Sequence, residues 1–316
     1  MNAPAAVGVI GAGPGALQLV RHAAPVTGAT LAAWAPASPG DGAADLAAAA
    51  GASFVADWRA LAEDPALTVV LVLADQPGRA APVQAALANG KFVLCPFPVT
   101  EDAEVLADIE RAEAAGGILR PSGGLGDTQA GELLLLAVRD GRLGTVHSLW
   151  ACARHRRAAG ARDVRDDLLW PLLDIVLEAV LSPVVRVHAT CGAVFGNGPM
   201  ADSAVVLLRF ANGPIVTLEA SRCLPPTLPV PEQGELEIEA IGSCEVVRIT
   251  PHASGVQVLG GAAPGKRDWI DPPLVRALEQ MPDLLRTRSR DAGWAERHRR
   301  ALAIMAAVRA GGTHTL

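Results

Sequence analysis

The chain has 316 residues and a formal net charge of -6; half of its residues are hydrophobic and 19% are charged. That length allows two domains or one large one, and the apolar share excludes a disordered chain. The acidic balance excludes a general nucleic-acid binder with a basic stripe, and five dispersed cysteines without a CxxC pair exclude a zinc ribbon or disulfide scaffold.

Residues 5–10 (AAVGVI) read as a short buried strand. Gly11-x-Gly13-x-x-Ala16 follows, then a helical stretch over 17–24. The first twenty residues have no charged start and are broken by Gly8, Gly11, Gly13, Pro14 and Gly15, which argues against a signal peptide. Residues 30–34 form a second strand candidate, 45–50 an alanine helix, and 57–62 a helix with Asp57 as N-cap. The continuous run LTVVLVL over 67–73 suits a parallel strand buried on both faces. Helix (78–89), strand (92–95), helix (100–115, with Thr100 as N-cap) and strand (117–119) complete the alternation. Strands alternating with helices of this size indicate a doubly wound parallel sheet.

The pattern changes after residue 121, dividing the chain into 1–121 and 122–316. A helix over 127–139 ends at Asp140-Gly141, a C-cap signal. A long strand over 146–154 and a single helix over 166–181 follow. Strands over 184–194, 203–210, 215–221, 234–241 and 245–249, several with alternating apolar residues, suit a large, mostly antiparallel open sheet with helices on one face. Helices near 273–286 and 291–310 close the chain. No run of about 20 apolar residues is present, so no membrane span is expected.

A strand, a Gly-x-Gly-x-x-Ala turn and a helix are the dinucleotide-binding arrangement. Gly11 permits the tight turn, Gly13 lets backbone amides approach a pyrophosphate, and Ala16 allows close helix packing; Pro14 and Gly15 complete the candidate contact set. An acidic residue that would hold the ribose hydroxyls is expected about 20 residues on. The second strand runs instead into Ala35-Pro-Ala-Ser38, and Asp41 lies too far into the next segment. Arginine is absent there too, and Ser38 is the group left to meet a 2′-phosphate, so NADP is favoured slightly over NAD.

The whole chain resembles the Gfo/Idh/MocA family of sugar and inositol dehydrogenases and their relatives. The resemblance runs through the glycine turn, Asp57-Trp-Arg-Ala-Leu, Leu67-Thr-Val-Val-Leu-Val, Gly90-Lys91-Phe-Val-Leu-Cys95, Asp140-Gly-Arg-Leu-Gly144, Thr217-Leu-Glu-Ala-Ser-Arg222 and the final helix. It implies an N-terminal Rossmann domain and a C-terminal α+β domain whose open sheet makes a homodimer or homotetramer. The family's catalytic chemistry is replaced. Its Glu-Lys-Pro corresponds to Pro96-Phe97-Pro98, so Pro96 falls at a cofactor contact and Phe97 stands where the lysine contacts the reacting hydroxyl. Its His-x-x-Asp corresponds to Pro171-Leu-Leu-Asp174, so the acid–base histidine is Pro171 while Asp174 remains; Asp167 matches a further aspartate, and Arg79 replaces a histidine.

General acid–base assistance is worth about 10²–10⁴-fold. Without Lys and His the oxidation of an alcohol should fail, whereas reduction of an iminium or a conjugated electrophile needs less help. The sequence has no tyrosine and only two lysines, Lys91 and Lys266, neither placed to replace the family lysine. His155 is the remaining proton donor, with Arg154, Arg156 and Arg157 as contacts for an anionic substrate, or alternatively a solvated loop. Asp174 either orients a substrate or pairs with an arginine. Cys95 reads as a structural thiol, His188 as a core residue, and Arg297-His298-Arg299-Arg300 as a solvated helix face. Metal-ligand spacing of the HExxH or CxxC kind is absent. Three readings stay open: a cytoplasmic NAD(P)-dependent reductase of a small non-sugar molecule, a catalytically inactive ligand- or partner-binding homologue, and an enzyme reusing the site as a lyase or cyclase.

Overall fold

The structure is a computed structural model and describes residues 5–13, 16, 29–76, 78–122, 125–156, 162–195, 200–225, 227, 234–250, 255–260, 265–267, 281–287, 291 and 293–316. They group into two compact units, one of Met1–Asp127 with Pro272–Glu296, the other of Thr128–Asp271 with Arg297–Leu316. The sequence reading places the division at 121; in the structure the 3-10 turn Leu125–Asp127 stays with the first unit, where Arg120 pairs with Asp127 at 3.4 Å.

The first unit holds six strands: β1 (Ala5–Ile10), β2 (Ala29–Ala35), β3 (Ser53–Phe54), β4 (Val69–Val72), β5 (Phe92–Cys95) and β6 (Ile118–Pro121). Their order is β3-β2-β1-β4-β5-β6, with every pairing parallel. All four residues of β4 and all four of β5 are buried, which is why these strands read as continuous apolar runs without alternation. Chain order reverses between β1 and β4, so the carboxyl ends of these two strands form the topological switch point, where open α/β sheets bind ligands.

Asp57 caps the helix Trp58–Glu63 as expected, accepting from the Arg59 amide. The helix Ala103–Ala114 starts later than expected. Asp102, not Thr100, is its N-cap and accepts from Glu104 and Val105, while the Thr100 hydroxyl accepts from the Asp102 amide. A carboxylate complements the helix dipole better than a hydroxyl, and the threonine is left to shape the approach. The helix expected over 17–24 lies outside the described residues, as do parts of the one expected near 273–286, of which Met281–Thr287 is helical.

The second unit holds nine strands: β7 (Val146–Arg156), β8 (Val184–Gly192), β9 (Ser203–Phe210), β10 (Ile215–Leu224), β11 (Glu235–Gly242), β12 (Glu245–Thr250), β13 (Gly255–Gly260), β14 (Gly265–Arg267) and β15 (Gly312–Thr315). They form one sheet in the order β14-β13-β12-β11-β7-β10-β9-β8-β15. The β7–β10 pair is parallel and the other described pairings are antiparallel. Val206, Leu208, Val216, Leu218 and Ala151 point to the buried face, and the helix Leu169–Ala179 packs against β7 and β10. On the other face Val205, Leu207 and Ile215 are exposed. The short closing strand β15, of sequence GTHT, has no apolar alternation to announce it. It pairs with β8, and His188 meets Thr313 through Nδ1 and Oγ1 at 2.7 Å. His188 is therefore exposed on the open face and not a core residue.

The single helix expected over 166–181 is two, Val164–Asp167 and Leu169–Ala179. Pro171 causes the break. Its ring clashes with a helical carbonyl four residues back, at Asp167, and it lacks an N–H, so it is tolerated only in a first turn. Restarting at Leu169 puts it there.

Candidate functional site

The glycine turn leaves the carboxyl end of β1 at the switch point. The Gly11 amide donates to Ala35 O at 2.8 Å, the Gly13 amide to Leu73 O at 2.9 Å, and the Ala16 amide to Gly13 O at 3.1 Å. Gly11 has φ +93°, and a Cβ there would lie 2.8 Å from Ala74 N. A Cβ on Gly13 would lie 2.1 Å from Leu73 O and 3.5 Å from an Asp75 carboxylate oxygen. Both glycines are therefore required by the close passage of the turn over the end of β4. Beneath the turn the fully buried Trp34 donates its indole N–H to Gly11 O at 2.9 Å. Pro14 and Gly15 lie outside the described residues.

Three further loops leave the same edge of the sheet. The loop after β2 carries exposed Ser38 and is held by Asp41, whose two carboxylate oxygens accept from the Ala37 amide at 2.8 Å and the Ala43 amide at 3.0 Å. The loop after β4 carries exposed Asp75, together with Gln76 and buried Arg79. The loop after β5 is Pro96-Phe97-Pro98, with a cis peptide between Phe97 and Pro98. Arg79 clamps it: Nε donates to Ala74 O at 2.8 Å, and Nη1 donates to Pro98 O at 2.6 Å and Pro96 O at 3.1 Å. Gln76 adds bonds to Pro98 O and Val99 O at 3.0 and 2.9 Å. Phe97 is 8% exposed and Pro96 half-buried. The clamp formed by Gln76 and Arg79 has no short-range sequence signature, because its acceptors are carbonyls.

The turn at this edge is thus held by backbone hydrogen bonds. Among the described residues of the loops after β1, β2 and β4 the charged side chains are Asp41, Asp75 and Arg79, and Arg79 is committed to carbonyls. The close passage that Gly11 and Gly13 allow over the end of β4 fits the turn of a dinucleotide-binding sheet. Lys91 does not reach this edge. Lys91 is buried at the amino end of β5, where Nζ donates to Asp64 O and Leu67 O, and burial lowers its pKa against the opposing field of Asp64. Lys266 lies in β14 of the other unit. Burial pushes the Cys95 thiol up to about 12 despite nearby Arg79, so it is inert, as expected of a structural thiol.

In the second unit Arg154, His155 and Arg156 lie at the carboxyl end of β7, while Arg157 is outside the described residues. Arg154 holds Glu219 of β10 in a two-pronged pair, at 3.0 and 3.1 Å. Burial, reinforced by Glu219, pushes neighbouring Cys152 up to about 12. The His155 ring lies against Gly234: a Cβ there would fall 2.7 Å from the imidazole Cδ2. Asp167 pairs with Arg222, and Asp174, 8% exposed, pairs with Arg297 Nε at 3.1 Å. Pro171 stands one turn before Asp174 and is half-buried.

The expected solvated face at Arg297–Arg300 is overturned. His298 is fully buried, 6.3 Å from the Trp170 ring centroid, and Arg300 donates to Ser182 O at 2.6 Å beyond the end of the helix Leu169–Ala179. A basic run this close to an exposed-looking helix end reads as solvated until the partner carbonyls and the carboxylate are brought to it by the fold. Among the described residues no cluster of three or more His, Cys, Asp or Glu is placed to hold a metal ion, and no helix is long and apolar enough to cross a membrane.

These two units define a class: a six-stranded dinucleotide-type parallel sheet with a large, mostly antiparallel open sheet. Residues 132–247, which lie in the second unit, match the model of the GFO/IDH/MocA C-terminal domain. No curated protein matches the sequence. Solved structures share the fold over both units. An oxidoreductase of Agrobacterium radiobacter, crystallised with NAD+, L-tartaric acid and magnesium, is 18% identical with a TM-score of 0.81, covering 99% of this chain and 98% of that one. A Desulfitobacterium hafniense protein assigned as an NADPH-dependent oxidoreductase is 16% identical with a TM-score of 0.83, covering 100% and 98%. Levoglucosan dehydrogenase, solved with NADH and levoglucosan, is 18% identical with a TM-score of 0.79, covering 99% of each chain.

Proposed function

We propose that this chain is an NAD(P)-dependent oxidoreductase that reduces a small non-sugar or anionic molecule. The observation that carries this reading is the glycine turn at the β1–β4 switch point, where Gly11 and Gly13 let the chain pass over the end of β4 more closely than any residue with a Cβ could. When bound, the nicotinamide supplies the hydride. The chain's own residues supply little proton chemistry there. Phe97 adds a large apolar side chain to a loop whose Pro96, Pro98 and Val99 carbonyls are held by Arg79 and Gln76. His155, ordered against Gly234, is the residue best able to hold a proton for the substrate, and Arg156 and Arg157 are the contacts for an anion. Reduction of an activated electrophile tolerates this sparse set, whereas alcohol oxidation lacks its base.

One observation favours the second reading, an inactive ligand-binding homologue. Arg154, Asp167 and Asp174 are each engaged in an ion pair within the second unit.

Thermal-shift titration with NADH and NADPH separates the two readings. Saturation at 100 times Kd stabilises the folded state by about 2.7 kcal/mol, so no shift with millimolar cofactor rejects the oxidoreductase. With binding established, Phe97→Lys combined with Pro171→His should raise oxidation of polyol substrates from background; no gain would mean that the substrate pocket has diverged as well.

The open face of the second sheet, with Leu207, Val205 and Ile215 exposed side by side on β9 and β10, supports a homodimer or homotetramer built on it. Leu207→Arg should shift the light-scattering mass to that of a monomer, and an unchanged oligomer mass would reject this face. Five free thiols support a reducing cytoplasm as its location.

A further inference from the structure

The amino edge of the parallel sheet, opposite the glycine turn, holds a buried cation. Lys91 immediately precedes β5 and is only 6% exposed. Its Nζ donates to Asp64 O at 2.5 Å and to Leu67 O at 2.8 Å, two carbonyls of the loop that leads into β4. An ammonium has three N–H donors, so one is left over. Both acceptors are neutral. Among the described residues no carboxylate forms an ion pair with Lys91, and the Asp64 carboxylate accepts from the Ala66 amide at 2.8 Å. Asp174 and Arg222, buried to a similar degree, are each closed by an ion pair. Burial lowers the Lys91 pKa, as expected where desolvation outweighs the field of nearby Asp64.

Lys91 also lines a cavity of about 250 Å³. Phe92, Ile118 and Leu285 give it apolar walls, and Thr68 and Asn89 add polar ones. Phe92 and Ile118 are register partners across β5 and β6, each 3% exposed, and Leu285 packs against the same core. These residues all belong to the first unit. At the ~30 Å³ that a water takes in the liquid, the space suits a ligand of roughly ten non-hydrogen atoms. Ligand pockets combine apolar walls with a few placed polar groups. Here those walls would take a ring or a branched hydrocarbon, and the third N–H of Lys91 a carboxylate through a charge-assisted hydrogen bond. Tying the Asp64–Leu67 loop to β5 accounts for two donors of Lys91. It accounts neither for a buried charge without a counter-ion nor for the space beside it.

We propose that this amino-edge cavity is a second ligand site, which takes a small apolar monocarboxylate on the Lys91 ammonium. It lies at the other end of the strands from the glycine turn and is independent of the dinucleotide reading.

The test is magnetic resonance of the full chain with isotope-labelled lysine. Two side-chain signals are expected, because Lys91 and Lys266 are the only lysines in the sequence, and Lys266→Arg assigns them. Sodium benzoate is the probe, and benzamide at the same ionic strength is its uncharged counterpart. Benzoate should shift the Lys91 signal saturably and leave Lys266 in place, and benzamide should bind at least about tenfold more weakly. By calorimetry, Lys91→Met should weaken benzoate by about tenfold. Thr68→Trp crowds the cavity but keeps both carbonyl acceptors of Lys91, and should weaken benzoate too. A Lys91 signal that does not move, that moves together with Lys266, or that answers equally to benzamide would overturn the site. So would a benzoate affinity unmoved by Thr68→Trp. If Lys91→Met does not fold, the unaltered chain and Thr68→Trp decide. NADH binding without a benzoate response removes this site alone; a Lys91-specific benzoate response without NADH binding keeps the site and removes the dinucleotide reading.

Discussion

Gly13→Ala abolishes measurable dinucleotide binding and lowers the stability of the first unit. The new Cβ would lie 2.1 Å from Leu73 O, a backbone atom in the last turn of chain beyond β4 that accepts the Gly13 amide at 2.9 Å. Neither partner is a flexible side-chain end. The turn must lift off β4, which breaks that hydrogen bond and shifts the turn proposed to hold the pyrophosphate. Overpacking of this kind costs on the order of 1–3 kcal/mol, and a cradle displaced by an ångström loses its ligand more completely than its fold. NADH titration and urea denaturation measure the two effects. Gly78→Ala is the matched control: its nearest neighbour would be Asp75 O at 3.4 Å, an ordinary contact, so stability should stay within about 0.5 kcal/mol. A Gly13→Ala protein that binds NADH normally would show that the cradle is not the site.

Asp174→Ala destabilises the second unit by about 3–5 kcal/mol, the usual consequence of breaking a buried ion pair from one side. Asp174 and Arg297 side chains are each only 12% exposed and lie 3.1 Å apart. Removing the carboxylate takes this hydrogen-bonded counter-charge from a guanidinium that is only 12% exposed. Replacing both partners, as Asp174→Leu with Arg297→Leu, should cost less than Asp174→Ala alone, because the charge is removed with its partner. A double-mutant cycle by urea denaturation reads this directly. If Asp174 instead orients a substrate, Asp174→Ala would leave the denaturation midpoint unchanged while weakening ligand binding.

Much of the fold was legible because its signals are local. The β4 and β5 runs are apolar without alternation because both faces are covered, and β9 alternates because one face is open. Asp57 announced its helix and Asp140-Gly141 ended another, with Gly141 at φ +70°. The errors fall where a local signal competed with another. Pro171 stands at the family's histidine position and also breaks the helix, and the carboxylate of Asp102 caps its helix in place of the Thr100 hydroxyl two residues earlier. Strand β15 carried no pattern and exists because the β8 edge supplies its hydrogen bonds.

The candidate site divides in the same way. Gly11 and Gly13 could be read from the chain because turn geometry forbids a side chain there, and the absence of a usable lysine or tyrosine is a property of composition alone. Contacts between residues far apart in the chain could not be read. Arg79 on the Phe97 loop, Arg297 on Asp174 and Arg222 on Asp167 are each made by side chains long enough to reach several acceptors. Residue type and spacing leave such a charge undecided between solvent, substrate and structural partner. By itself the sequence determined the two sheet types, the backbone cradle and the missing proton chemistry; only the tertiary structure decided which charges are committed to the fold, because the desolvation that forces them to pair arises when the chain has packed.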